Sequence, residues 1–459
     1  MLKVYLTVLF LFACNALAVT TDVSEIVVTE SSLVTSNIVT ESINQEQMPL
    51  EEEIYGEPLS VPAAPPLSIK GFIQPINKMP LQNVAQPGVN YDLLRLELSS
   101  ALGEEMQWYW RNDLYLGNSL KDLYFAQYEI REVYLDWYSA FGDFRLGKQI
   151  ITWGMADENN PMDNINPVDL YDPFQEKNER KYGVFGIKTD QYFSDYTLTL
   201  VWLPGFKESR LPSSEYIDMP STKTLGDPRV PEDRYINTQY AARLLKRGQG
   251  LDWSISYYDG YEKIYSPIEY ILTLAGPVPA KLGYRRTKVT GVDFAADVFD
   301  FDVRGEAAYF NTEDIGGEND LVRNPYYQYI IGASYKFEND LKLGMNYAEE
   351  VLTRIDNTEE RELEENNFSR MGMQLCMFTP KAIVYTLEKE FVDQHIKIKG
   401  SIINDLKYYG AAAMTEFSWE ALDNLTYSLG FSFFGGSSDS ILGKIDQYDA
   451  GYLKIKYSF

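Results

Sequence analysis

From Leu67 onward the chain alternates apolar and polar residues almost without interruption, and this period of two constrains the fold more than any other feature. In residues 106–116, Met106, Trp108, Trp110, Leu114 and Leu116 share one face, while Gln107, Tyr109, Arg111, Asp113 and Tyr115 share the other. Val292, Phe294, Ala296 and Val298 alternate with Asp293, Ala295 and Asp297. Phe301, Val303, Ala307 and Tyr309 then alternate with Asp302, Arg304, Glu306 and Ala308. An extended strand sends successive side chains to opposite sides, so each segment has one face for an apolar medium and one for charges. A soluble sandwich would also show one packed and one solvated face, so alternation alone leaves two architectures open.

The connections separate them. Tight turns are expected near Gly103-Glu104, Gly142-Asp143, Ser194-Asp195, Gly248-Gln249-Gly250, Phe299-Asp300, Asn339-Asp340, Val392-Asp393 and Leu422-Asp423. Longer links lie between them, near 155–182, 205–234, 265–282, 312–325, 353–366 and 436–447. Long structureless loops are uncommon in compact soluble domains. A regular rhythm of short turn and long loop is that of a transmembrane barrel. Counting the rhythm gives about 18 strands, with about 16 as second choice, even numbers being the rule for bacterial barrels. The first strand is expected over 68–74 and the last over 448–459. Residues 370–378 either extend the strand after them or form another, with a break expected at Pro380. The expected fold is therefore all-β, a transmembrane antiparallel β-barrel over 67–459 with a lumen wide enough for water.

The last strand fits that architecture. Leu453, Ile455, Tyr457 and Phe459 share a face, opposite Tyr452, Lys454, Lys456 and Ser458. A closed barrel must tie its last strand to its first, because lipid cannot satisfy an open edge. Tyr457 and Phe459 are expected in the aromatic girdle at the rim. An alternating strand that ends in Phe also resembles the C-terminal signal of Gram-negative outer-membrane proteins, which implies recognition by the barrel assembly machinery.

Residues 1–18 read as a secretory signal peptide with an Ala16-Leu17-Ala18 cleavage site. A lipoprotein reading of Leu11-Phe12-Ala13-Cys14 suffers from the bulky Phe12. Cleavage leaves Cys376 as the sole cysteine, so no intrachain disulfide is expected. Residues 19–66 hold nine acidic residues and no Lys or Arg, and end in a Pro-rich run. Such a composition cannot build a core, and a disordered acidic periplasmic arm is expected. No later window has the ~18 consecutive apolar residues of a membrane helix. The net charge of −26 is repelled by nucleic acid. Two classes remain: an outer-membrane barrel and a secreted surface β protein or adhesin.

Residues 147–169, GKQIITWGMADENNPMDNINPVD, carry a more specific likeness. Gly147-Lys148-Gln149, Trp153-Gly154, Ala156-Asp157 and Asn166-Pro167-Val168-Asp169 resemble a block of a broad porin-like group of outer-membrane proteins. Residues 387–400 and the terminal strand resemble the same group. The resemblance implies a porin-like barrel and names no substrate. Lys148 stands where Arg is commoner, and the acidic ENNPMDN insertion sets this chain apart.

Residues 155–182 hold seven acidic residues against three basic ones, with many turn formers. Asn and Asp side chains bonding nearby backbone are one expectation. The other is a loop folded into the lumen, where Asp157, Glu158, Asp163 and Asp169 would favour cations. Those carboxylates match no known calcium-loop spacing, so no metal is expected. Arg95 with Glu97, Arg111 with Asp113 and Arg304 with Glu306 are expected on the lumen wall.

In the arm, Ile26, Val27, Val28 and Thr29 resemble a TonB box, which implies β-augmentation with an inner-membrane TonB-like partner. Energised transporters of that kind carry a folded plug and about 22 strands, which this length does not supply. A plain linker stays open beside it. Enzymatic constellations are missing from the sequence: His395 is the sole histidine, a zinc cluster needs more than Cys376, and no phosphate-binding loop motif occurs. No enzyme and no cofactor are expected. The expected function is a passive channel for ions or small polar solutes, preferring cations, set among outer-membrane lipid and lipopolysaccharide. An energy-coupled transporter and a non-transport adhesin are the alternatives.

Overall fold

The structure is a computed structural model that describes residues 67–82, 90–118, 125–156, 160–170, 177–211, 225–232, 237–274, 276–319, 322–353 and 379–459. Residues 1–66, which hold the expected leader, the expected arm and its Ile26, Val27, Val28 and Thr29, lie outside them, as do Asp157, Glu158 and residues 370–378 with Cys376.

The barrel begins with β1 (Ser68–Pro80), β2 (Asn90–Ala101), β3 (Met106–Asn118), β4 (Phe125–Ser139), β5 (Gly142–Gln149) and β6 (Val184–Phe193). It continues through β7 (Tyr196–Leu203), β8 (Gln239–Lys246) and β9 (Leu251–Tyr261). A separate hairpin follows, β10 (Ser266–Thr273) with β11 (Gly276–Gly283). The barrel resumes with β12 (Arg286–Val298), β13 (Phe301–Asn311), β14 (Tyr326–Lys336), β15 (Leu341–Leu352) and β16 (Lys381–Phe391). β17 (Ile396–Asp405), β18 (Gly410–Leu422), β19 (Leu425–Gly436) and β20 (Ala450–Ser458) complete it. The sheet has 18 strands; β9 pairs directly with β12, and β20 pairs with both β19 and β1. The expected all-β barrel and its strand number are thus observed.

All eight expected tight turns fall between paired strands at one end of the barrel, and the long connections gather at the other. The turns use left-handed residues where the chain must reverse sharply: Ser194, Phe299, Asp340 and His395 all have φ between 52° and 62°. His395 therefore serves the β16–β17 turn. The link near 265–282 differs from expectation, because it holds the β10–β11 hairpin. β1 also runs past residue 74. Its ladder to β2 continues through Pro75, while its ladder to β20 lapses between Ile73 and Ile76, where proline has no N–H to give.

The polarity of the wall is inverted relative to a water-soluble core. Trp137, Leu146, Phe185, Leu200, Trp202, Ile255, Val292 and Ile331 are exposed on the outside. Arg95, Asp113, Arg131, Asp136, Asp293, Glu306 and Gln328 are buried on the inside. Leu453, Tyr457 and Phe459 belong to the exposed outer surface, as the alternation predicts.

A bulge in the β3–β4 pair interrupts the alternation. Arg111 pairs with Glu132 and Asn112 with Ile130, so Arg131 is the extra residue on β4. A bulge re-aims one side chain, and here Arg131 is wholly buried among the charges of the inner wall.

Candidate functional site

The connection from β5 to β6 folds inward and lies against the inner wall. Ile151, Trp153, Met162 and Ile165 are buried against Val184 of β6, Val201 and Leu203 of β7, Ala241 of β8 and Tyr258 of β9. The same cluster reaches Val289 of β12, Ala308 and Phe310 of β13, and Tyr326 of β14. Trp153 is only 4% exposed, so it anchors the loop inside. Its indole is too large to leave in water, and the inward Val and Ala positions of these strands make room for it.

Polar side chains hold the loop's course. Asn166 closes its base: its Oδ1 accepts from the Ile151 N–H at 2.7 Å, and its Nδ2 donates to the carbonyls of Gln149 and Tyr182 at 3.1 and 2.7 Å. The far side is held by Glu306 on β13, whose Oε1 accepts from the Ala156 N–H at 2.6 Å and from Asn160 Nδ2 at 2.7 Å. Gly154 makes that approach possible. Its φ is +101°, and a Cβ there would collide with Asn160 Nδ2 and Glu306 Oε1.

The carboxylates expected to line the pore take specific places. Asp163 is buried in an ion pair with Lys181, which also donates to Thr152 Oγ1 at 2.9 Å. Asp169 accepts from the Tyr182 hydroxyl at 2.6 Å and lies 3.6 Å from Arg210. Beside the buried Asp169 carboxylate, burial holds the Tyr182 phenol above its ordinary range. These two Asp residues bind the loop to itself and to the β7–β8 connection. The ladder Val168–Lys181 and Asp169–Arg210 does the same in backbone form. Turn chemistry is present as well, with Asn164 Nδ2 donating to the Pro161 carbonyl at 2.7 Å.

Of the expected wall residues, Arg95, Glu97, Arg111 and Asp113 come together. The antiparallel register sets Arg95 opposite Asp113 and Glu97 opposite Arg111. Arg95 donates through Nε and Nη2 to Asp113 at 2.7 and 2.9 Å, a two-point pair. Arg131 adds a third bond to Asp113 at 2.8 Å and donates to the Lys181 carbonyl at 2.9 Å. Glu179, in the short 3-10 turn Lys177–Arg180, reaches from the loop to Arg95 and to Arg111, the latter at 3.2 Å. Arg304 and Glu306 do not pair: Arg304 binds Asp302 at 2.7 Å, and Glu306 holds the loop.

Sequence reasoning missed Arg131, Asn166, Glu179, Lys181 and Tyr182. Their partners lie on other strands or at the far end of the loop, and only Asn166 had a signal, its place in the Asn-Pro-x-Asp block. A second inner cluster joins loops to wall: Leu170 packs with Leu442 and Ile445 of the β19–β20 connection and with Ala412 of β18 and Phe434 of β19. Among the described residues no group of His, Cys, Asp or Glu is gathered to hold a metal.

No protein-family model and no curated protein sequence matches the chain. Among solved structures, Pseudomonas aeruginosa OccK11 (OpdR) aligns with a TM-score of 0.50 at 10% identity, over 86% of this chain and 95% of that one. Salmonella typhi OmpF, in a complex with daunomycin, gives 0.42 at 9% identity over 86% and 97%. A Rhodopseudomonas blastica porin triple mutant gives 0.38 at 9% identity over 86% and 100%. The closed antiparallel barrel of this chain is a porin-like fold.

Proposed function

We propose that the chain is a porin-like channel of the Gram-negative outer membrane that passes ions or small polar solutes by diffusion and prefers cations. The observation that carries this reading is the β5–β6 loop, seated inside the barrel on Trp153 and Ile165 and held by Glu306. A loop so placed narrows the lumen, and charges in a narrow, low-dielectric passage act more strongly than charges on a salt-screened surface. The apolar outer wall suits lipid, with lipopolysaccharide above it. The mixed inner wall suits water and small polar solutes.

The preference for cations rests on the acidic excess of the loop. Asp163 and Asp169 are committed to Lys181, Tyr182 and Arg210, so the selective charge is assigned to Asp157 and Glu158. A barrel of 18 strands supports passive diffusion over energised transport, whose barrels have about 22. Reversal potentials across a planar bilayer under a salt gradient test the reading. Cation preference is expected in the native channel and should fall clearly in the D157N/E158Q variant. Anion preference, or no conductance, would overturn it.

A further inference from the structure

We propose that the long-loop end carries a binding cleft for a small organic monoanion, recognised by Arg323 and Ser266. Neither residue belongs to the β5–β6 loop site, and the inference does not depend on transport.

Arg323, just before β14, lies with its guanidinium 3.8 Å above the Tyr326 ring and donates through Nη2 to Glu350. Its Nε and Nη1 are buried and have no hydrogen-bond partner. Ser266, at the start of β10, is buried too, and its Oγ has no partner. Buried donors are nearly always satisfied, and an orphaned guanidinium N–H is among the costlier exceptions. Both side chains line the same recess, of about 10 Å³, which is room for roughly one oxygen atom.

The recess adjoins a larger space. It shares Tyr270, Arg285 and Val322 with an open cleft of about 470 Å³ between the β10–β11 hairpin and the β13–β14 connection. That volume lies in the usual range for small-molecule sites. Ile268, Tyr270 and Val322 give the cleft an apolar wall for the body of a ligand.

The charges select its sign and number. Arg285 is committed to Glu313 at 2.7 Å and to the Pro267 carbonyl at 2.7 Å. Arg286 is committed to Asp259 at 2.6 Å. Arg323 is thus the cation with open donors at the recess, and it calls for an oxyanion. Glu313 and Asp314 line the cleft and disfavour a second negative charge. One carboxylate oxygen in the recess, with an apolar body along the cleft, satisfies Arg323 and Ser266 together.

The test is calorimetric titration of the detergent-solubilised full chain with benzoate, with benzylamine and inorganic phosphate as comparison probes. Saturable benzoate binding is expected, with benzylamine and phosphate inert. S266A should weaken benzoate about tenfold, the worth of one charge-assisted hydrogen bond. Ser266 Oγ makes no hydrogen bond in the protein, so this variant loses none on folding. R323M should abolish binding, and S266A keeps the test intact if R323M fails to fold. No benzoate binding at concentrations on the order of 10 mM would assign the recess to a lone water and overturn the proposal. Equal affinity in native chain and S266A would place the anion elsewhere, and tighter binding of phosphate or benzylamine would refute the assigned ligand class.

Discussion

Phe459 and Gly71 exchange both backbone hydrogen bonds: the Gly71 N–H donates to the Phe459 carbonyl and the Phe459 N–H to the Gly71 carbonyl, each at 3.0 Å. The Phe459 ring covers Gly71 so closely that a Cβ there would stand 2.8 Å from its Cζ. This rung extends the β1–β20 ladder by one residue at the short-turn end. An unclosed edge would leave N–H and C=O groups in lipid, so a small local contact secures a large requirement.

Two variants probe that closure. G71V should crowd the Arg95 carbonyl of β2 as well as the Phe459 ring, and Y457S/F459S should remove both rim aromatics, with the assembly signal proposed for Leu453, Ile455, Tyr457 and Phe459, while leaving the β1–β2 side untouched. Each is expected to lose most of the folded band that shifts on boiling in detergent gels. Insertion of either variant at native yield would show that the barrel closes without this contact.

Arg131 offers a test of the buried wall network. It bonds Asp113, the Lys181 carbonyl and the Tyr115 hydroxyl, the last at 2.5 Å, and its guanidinium lies 4.5 Å from the Tyr182 ring centre. R131M should destabilise the barrel by about 3 kcal/mol, because one partner of a buried charge cluster is removed while the others stay. Denaturant midpoints of the detergent-refolded chain give the number. Arg95 still covers Asp113 in the variant, so D113N/R131M should be less damaging than the sum of the two single changes. Additive effects would mean that the cluster is not one unit.

The barrel was legible in the sequence because alternation and turn chemistry are local. Val292 and Asp293 declare their faces by position alone, and Asn339-Asp340 declares its reversal by residue type. Proline hid part of β1, since Pro75 breaks one of its two ladders and leaves the other intact. The β4 bulge was hidden for another reason: no rule of alternation announces that Arg131 is the extra residue. The site was legible only as a suspicion about an acidic loop. Glu306 meets Asn160 across 146 residues of sequence, and Glu179 meets Arg111 across 68. Such pairings follow from the closed barrel and from no local pattern.

Glu262 and Lys263, between β9 and β10, predict an unusual pH profile. Burial pushes the Glu262 carboxyl up to about 7, with Arg323 and Arg285 opposing it, and pushes the Lys263 ammonium down to about 7. A raised carboxyl contributes stability that is full below its unfolded value of 4.5 and is lost as pH rises through 7. A depressed ammonium contributes stability that is full above 10.5 and is lost as pH falls toward 7. Protection of the amides around these residues, corrected for intrinsic exchange, should therefore be lowest near neutral pH. E262Q should remove the acidic limb and K263M the alkaline limb. A profile that rises or falls steadily would contradict both assignments.

The hold of Glu306 on the loop yields the last prediction. Its Oε1 accepts from Ala156 and from Asn160, and hydrogen bonds to a charged acceptor contribute about 1.5–3 kcal/mol each. E306A removes both acceptor bonds and leaves the apolar anchors Trp153, Met162 and Ile165 in place. The loop should then stay inside but move, so single-channel conductance should rise and its open-state noise should grow. E306Q keeps an acceptor oxygen without the charge and should fall between E306A and the native channel. W153A added to E306A should release the loop further and raise conductance again, because the indole is its most bulky buried anchor. Native conductance and noise in the E306A/W153A variant would mean that ions pass without meeting the Trp153–Ile165 part of this loop, and the constriction would have to be sought where Leu170 at its far end meets Leu442.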